Sequence, residues 1–109
     1  MEAQTVNFEL TEEYLGSLYF SPLDIAIIME LNVADFLIEY GYSSYEALQM
    51  ASEYNSHTDT FKRVQRGRLL GEAQIRHKVF ELAKGGSAPS IKQMFEIIDQ
   101  AKITHQLSK

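Results

Sequence analysis

Residues 21–40, with the sequence SPLDIAIIMELNVADFLIEY, contain two complete helix signals separated by a tight break. Ser21 is a favourable N-cap and a proline follows it at the first helical position, so a helix should begin here and end near Glu30. Asn32 caps a second helix, which Gly41 ends. The stretch therefore predicts two short helices joined by a turn, as in a helix-turn-helix unit.

The residue pattern inside this unit supports the same interpretation. Ala26 stands where the two helices must approach closely. The expected internal apolar contacts are Ile25, Met29, Leu31 and Phe36. Two features depart from a DNA-reading version of the motif. Glu30 takes the turn position that glycine usually holds, and the second helix carries Asp35 and Glu39 but no Lys or Arg.

Helix signals continue on both sides of this unit. Residues 11–19 begin with a threonine cap, and residues 43–54 begin with a serine and a glutamate at capping-box spacing. A longer helix is expected over residues 59–84, where two glycines end it, and a last helix over residues 87–104. Strand-like alternation does not occur. We therefore predict an all-α fold.

The length of 109 residues fits one domain, spanning residues 1–109. Its N-terminal half is expected to be the helix-turn-helix-like part, over residues 11–54. A longer helix and a C-terminal helical hairpin follow, and together they occupy residues 59–104. On a helical wheel of the longer helix, one apolar face is predicted to point inward, and its residues are Phe61, Val64, Leu69, Gly71, Ala73, Ile75, Val79, Phe80, Leu82 and Ala83. Arg63, Arg66 and His77 lie on the opposite side of the wheel.

The charge of the chain is strongly polarised along the sequence. Up to Phe61 there are eleven acidic residues and no Lys or Arg, a formal charge of −11. From Lys62 onward ten basic residues face four acidic ones, a formal charge of +6. Either the two halves face each other within the fold, or at least one half has a charged partner.

Binding to DNA depends mainly on contacts between cations and phosphates. Because the predicted second helix of the motif is acidic, any DNA contact must come from the basic residues of the longer helix. The candidate DNA-binding residues are Lys62, Arg63, Arg66, Arg68, Arg76 and Lys78. Such contacts would hold the DNA backbone more than read bases. The simpler interpretation is that these residues form the solvated face of one helix.

Several functional classes are disfavoured by composition. No cysteine is present, which excludes disulfides and thiolate chemistry, and the three histidines lack metal-ligand spacing, so we expect neither a metal nor a cofactor. No catalytic residue set is recognisable, and we expect a protein that is not an enzyme. The longest apolar stretch, residues 25–29, is far shorter than the roughly 20 residues of a membrane span, and the acidic, polar N-terminus is not a secretory signal. A cytoplasmic location without membrane contact is the expectation.

The order of these pieces resembles the small subunit of phage terminases, the DNA-recognition component of phage packaging motors. The resemblance rests on residues 21–36, on GRLLGEAQIR at residues 67–76 and on LAKGGSAPS at residues 82–90, with its A-x-x-G-S junction between two helices. It implies a non-enzymatic protein that binds DNA, self-associates into an oligomer and delivers DNA to a large motor subunit. The polarised charge fits contacts between the acidic half of one subunit and the basic half of the next.

The alternative hypothesis is a helical protein-interaction module or adaptor that does not bind DNA. Its acidic half would dock on a basic partner. The tyrosines of the N-terminal half suit such a surface, although tyrosines also often lie at the edge of a core. The sequence leaves this choice open.

Overall fold

The computed structural model describes Val6 and residues 8–107, with the backbone alone for residues 103–107. Within these residues the regular elements are six helices without a strand, which confirms the predicted all-α fold. In chain order they are α1 (Glu12–Ser17), α2 (Pro22–Ile28), α3 (Val33–Tyr40), α4 (Ser44–Asn55), α5 (Asp59–Lys84) and α6 (Ala88–Leu107). The last helix continues past its expected end near residue 104.

Side-chain caps explain why the first five helices begin where they do. In each, the N-cap oxygen accepts a hydrogen bond from the backbone N–H three residues later, and these N-caps are Thr11, Ser21, Asn32, Ser43 and Thr58. At α4 the bond is reciprocal, because the Glu46 carboxylate accepts from the backbone N–H of Ser43. Gly41 ends α3 with a φ of +130°, a conformation that glycine adopts without steric cost.

Helix α2 is the central element, because both hydrophobic clusters use it. One cluster joins α2 to α1, α5 and α6, and its buried members are Leu15, Leu18, Phe20, Ile25, Ile28, Leu70, Ala73 and Phe80. The other joins α2 to α3 and α4, and its buried members are Ala26, Val33, Leu37, Ala47 and Ala51. Small side chains dominate the second cluster, so its three helices approach closely.

The two clusters give the described part of the chain a flat shape, with extents of 43 × 38 × 19 Å. Helices α5 and α6 pack against each other across the turn at residues 85–87, as the predicted hairpin requires. None of the helices in the described residues combines the length and apolarity needed to cross a membrane.

The inward face of α5 agrees with the predicted one only in part, since Ala73, Phe80 and Ala83 of the predicted set are buried. Its buried residues are Leu70, Ala73, Phe80 and Ala83, whereas Phe61, Val64, Ile75 and Leu82 are exposed. Arg66 and His77, expected on the outer side, are half-buried against α2 and α1. The helical wheel misplaced part of this face because it counts apolar side chains, whereas the true inward face includes long polar side chains whose stems pack and whose polar heads find partners.

Candidate interaction surfaces

The six predicted DNA-binding residues all lie on α5, but they are divided between two environments. Arg63, Arg68 and Lys78 are exposed. Lys62, Arg66 and Arg76 are half-buried and contact other elements of the fold. The Lys62 ammonium lies 5.1 Å from the centre of the Tyr54 ring, a cation–π contact with α4. The structure therefore leaves three of the six candidates fully available for a partner.

Arg66 and Arg76 bind the C-terminal carbonyls of two preceding helices. The Nε of Arg66 donates to the backbone oxygen of Ile28, the last residue of α2, at 2.8 Å. A guanidinium nitrogen of Arg76 donates to the backbone oxygen of Leu18, the C-cap of α1, at 2.9 Å. Helix C-termini carry unsatisfied carbonyls and partial negative charge, which cations stabilise. These two arginines thus fix α1 and α2 onto α5.

Both capped ends contain a non-glycine residue in the left-handed conformation. Tyr19, directly after Leu18, has a φ of +68°, and Glu30, two residues after Ile28, has a φ of +58°. Glu30 is the turn position of the helix-turn-helix unit where sequence comparison with the motif expects glycine. Its carboxylate lies 3.5 Å from the Arg66 guanidinium, and most of the Glu30 side chain is exposed to solvent. The ion pair offsets only part of the backbone strain.

Replacing Glu30 with glycine is expected to raise the free energy of unfolding by up to about 1 kcal/mol. The substitution removes the steric cost of a left-handed β-carbon, about 1–2 kcal/mol. It also loses an exposed ion pair worth about 0–1 kcal/mol and adds backbone entropy to the unfolded chain worth about 0.5–1 kcal/mol. Glu30→Ala is the matched control, because it loses the ion pair and keeps the strain, so it should not stabilise. Urea unfolding followed by circular dichroism measures both. Equal effects of the two variants would contradict the strain at this turn.

A cleft of about 430 Å³ lies between this turn and the first turns of α5. Its polar lining contains the cations Lys62, Arg63 and Arg66 and the carboxylates Glu30 and Asp59. The cations outnumber the acids by one, so the cleft offers a mildly positive border beside the helix-turn-helix unit. This is where the charge of α5 comes closest to that unit.

The arrangement predicted for residues 21–40, two short helices joined by a tight turn, is present as α2 and α3. Ala26 is fully buried between α2 and α3, and Ile25, Met29, Leu31 and Phe36 pack in the two clusters as the motif requires. The outward side of α3 exposes Asp35, Ile38 and Glu39. This helix therefore presents carboxylates and an aliphatic side chain, not cations, to any partner.

A second surface runs along the outer side of α5. Phe61, Val64, Ile75 and Leu82 expose between 45% and 65% of their surface. With Arg68 and Lys78 they follow each other at spacings of three, four and seven residues, which places all six on one side of a helix. We call this set the α5 stripe. Its sequence of apolar and basic side chains is typical of a helix that packs against another protein surface.

The third surface is a groove of about 340 Å³ between α3 and α4, lined by Ala34 of α3 and Leu48 of α4 among others. Ile38 lies one turn beyond Ala34, and Tyr45 lies one turn before Leu48, so each shares a helix face with a residue that lines the groove. Ile38, Tyr45 and Leu48 expose 42%, 71% and 59% of their surface. We call these four residues the α3–α4 groove.

The rims of the α3–α4 groove are acidic on both sides. Asp35 and Glu39 lie next to Ile38 around the circumference of α3, and Glu46 and Glu53 lie beyond Tyr45 around α4. All four are exposed. Because the sequence up to Phe61 contains no Lys or Arg, no neighbouring residue of the N-terminal half neutralises them.

The titratable side chains of the interior interact with neighbouring residues of the fold. Burial raises the pKa of Asp24 above its ordinary value, opposed by the hydrogen bond with Ser21 and by the nearby Arg76 charge. The Tyr14 hydroxyl bonds to Nδ1 of His77, which also packs on Phe8. Within the described residues, no three His, Asp or Glu side chains are placed to hold a metal ion. The contact between Tyr14 and His77 stabilises the packing of α1 on α5.

Comparison of the chain with protein-family models, with curated proteins and with solved structures gives no match. The surfaces described above are therefore the basis for any assignment of function.

Proposed function

We propose that this chain is a self-associating, non-enzymatic helical protein of the phage DNA-packaging type, similar to the small subunit of phage terminases. The observation that carries the proposal is the combination of a helix-turn-helix unit, α2 and α3, with an α5–α6 hairpin whose outer side exposes the α5 stripe. A monomer gains nothing from four exposed large apolar side chains on one helix, whereas a subunit of an assembly buries them.

In this proposal DNA is held by its phosphates and its bases are not read. Among the exposed cations, Arg63 lies outside the α5 stripe and stays accessible to phosphate in the oligomer, and the cleft beside the turn adds Lys62 and Arg66. The acidic outer side of α3 repels a phosphate backbone, so α3 does not enter a groove of the duplex. In an oligomer the few cations of each subunit add up along the DNA, which raises the overall affinity without any new contact.

A DNA titration across salt concentrations tests this proposal. The affinity for a random duplex is expected to fall with salt, with a log–log slope of about −0.9 for each phosphate contact. Arg63→Ala should weaken binding equally for all duplex sequences and reduce the magnitude of the slope by about 1. Lys92→Ala, which removes one exposed cation from α6, is the matched control and should leave the slope unchanged. An absence of DNA affinity at every ionic strength would overturn the DNA-binding part.

The second candidate function is a protein-interaction module without DNA binding, in which the protein docks on a basic partner. The observation that favours it is the α3–α4 groove with its acidic rims, on the helix that a DNA-reading protein would turn toward the duplex. The titration separates the two candidates, because this one expects no DNA affinity even at low salt, where nonspecific electrostatic binding is strongest.

A further inference from the structure

We infer that the α5 stripe of one copy of this chain docks in the α3–α4 groove of a second copy, and that this head-to-tail contact builds the oligomer. The inference rests on the self-association in the proposed function and names the surfaces that produce it. The chain carries both halves of the contact. An amphipathic helix laid in an apolar groove is a common way for helical proteins to bind each other.

The apolar parts of the two surfaces match. The α5 stripe exposes Phe61, Val64, Ile75 and Leu82. On the other surface Leu48 lines the cavity between α3 and α4, and Ile38 and Tyr45 are exposed on the same two helices. Side chains exposed by about half on each surface bury the rest when the surfaces meet. Burial contributes about 25 cal/mol for each Å² of apolar area removed from water.

Charge decides which surface the stripe contacts. Arg68 and Lys78 interrupt the stripe, are exposed, and make no ion pair within the part of the chain that the structure describes. Two stripes packed against each other would bring four cations into one contact, and the stripe contains no acid to neutralise them. The groove instead has acids on both rims, Asp35 and Glu39 on one and Glu46 and Glu53 on the other. Opposite charges at the edges of an interface fix the pairing and its orientation.

Within the part of the chain that the structure describes, charge contacts between the two halves use other residues, and one of them is Arg76 near Asp24. The structure also connects the two charge halves through Arg66 and Glu30, at the turn after α2. Arg68 lies farther along α5, and the α3–α4 groove belongs to the other cluster of the fold. The unpaired cations of the stripe and the unpaired acids of the groove thus find each other between copies. Because the two surfaces differ, the contact is heterologous and produces a ring or a filament.

Two charge-reversal variants test this contact, with masses measured by light scattering after size exclusion and without DNA. The stripe variant is Arg68→Glu with Lys78→Glu, and the groove variant is Asp35→Lys with Glu39→Lys. Each variant alone is expected to weaken association at least about tenfold, because like charges then meet at the contact. An equimolar mixture is expected to regain the wild-type mass, since every stripe then finds a groove of opposite charge in an alternating assembly.

Control variants carry the same charge changes elsewhere. Lys84→Glu with Lys92→Glu and Glu96→Lys with Asp99→Lys change exposed residues outside both surfaces and should keep the wild-type mass. Helix content by circular dichroism verifies that all variants fold. A monomeric wild type overturns both this contact and the self-association in the proposed function. A wild-type oligomer that neither variant weakens, or that only the stripe variant weakens, overturns this contact and leaves self-association standing.

Discussion

Replacing Leu37 with alanine is expected to lower the free energy of unfolding by about 2–5 kcal/mol. Leu37 is 0% exposed and is the largest side chain in the cluster that holds α3 and α4 on α2. Its buried neighbours are alanines and one valine, so only partly buried side chains at the edge of the cluster, such as Phe36 and Met50, can move toward the space that the leucine leaves. The loss therefore includes both the transfer of the leucine from water and the cavity, toward the upper part of the range.

Leu48→Ala is the matched control for this prediction. It removes the same atoms from the neighbouring helix, but Leu48 is mostly exposed in the α3–α4 groove. Its effect on the unfolding free energy is expected to stay within about 0.5 kcal/mol, as for most surface substitutions. Urea denaturation of both variants, followed by circular dichroism, decides the matter. Similar losses for the two leucines would mean that Leu37 does not carry the second cluster.

The local start of each helix could be read from the sequence, because caps act over only a few residues. Ser21, Asn32 and Ser43 each bond to the N–H three residues later, as their spacing predicts. Ala26 is buried between α2 and α3 for an equally local reason, since only a small side chain fits a close helix crossing. These features needed no knowledge of the rest of the fold.

Only part of the inward face of α5 could be predicted from the sequence, because its polar members have partners that are distant along the chain. Arg66 bonds to a carbonyl 38 residues before it, and Arg76 to one 58 residues before it. Helical periodicity shows which residues share a face of α5. It does not show which distant backbone carbonyls need a hydrogen-bond donor. The same limit applies to the candidate DNA-binding residues. The six cations look equivalent in the sequence, and only the packing of α1 and α2 on α5 separates the exposed cations from the inward-facing ones.

One departure of the sequence from the helix-turn-helix pattern is related to the position of Arg66. Glu30 occupies a turn position where glycine is expected, and the structure confirms that the position has a positive φ. A non-glycine residue there suggests that something compensates for the strain. The compensating neighbour is Arg66, which bonds to the Ile28 carbonyl and lies near the Glu30 carboxylate. Arg66 thus has its structural partners at the turn where the sequence departs from the motif.

Replacing Arg76 with alanine is expected to lower the free energy of unfolding by about 2–3 kcal/mol. Only 18% of the Arg76 side chain is exposed, and its guanidinium donates to the Leu18 carbonyl and lies 4.2 Å from the centre of the Phe20 ring. The substitution leaves the carbonyl at the end of α1 without its donor and removes the cover over Phe20. Lysine at this position recovers little, because an ammonium cannot donate in a planar fork while stacking on a ring.

Arg63→Ala is the paired measurement, because it removes a cation from the same helix at an exposed position outside the α5 stripe. Its unfolding free energy should stay within about 0.5 kcal/mol of the wild type, while its affinity for DNA, in the proposed function, falls as a phosphate contact is lost. Arg76→Ala should behave in the opposite way, with a large loss of stability and unchanged DNA affinity for the folded fraction. If Arg76→Ala instead weakens DNA binding and leaves urea unfolding unchanged, the Arg76 guanidinium binds phosphate and does not stabilise the end of α1.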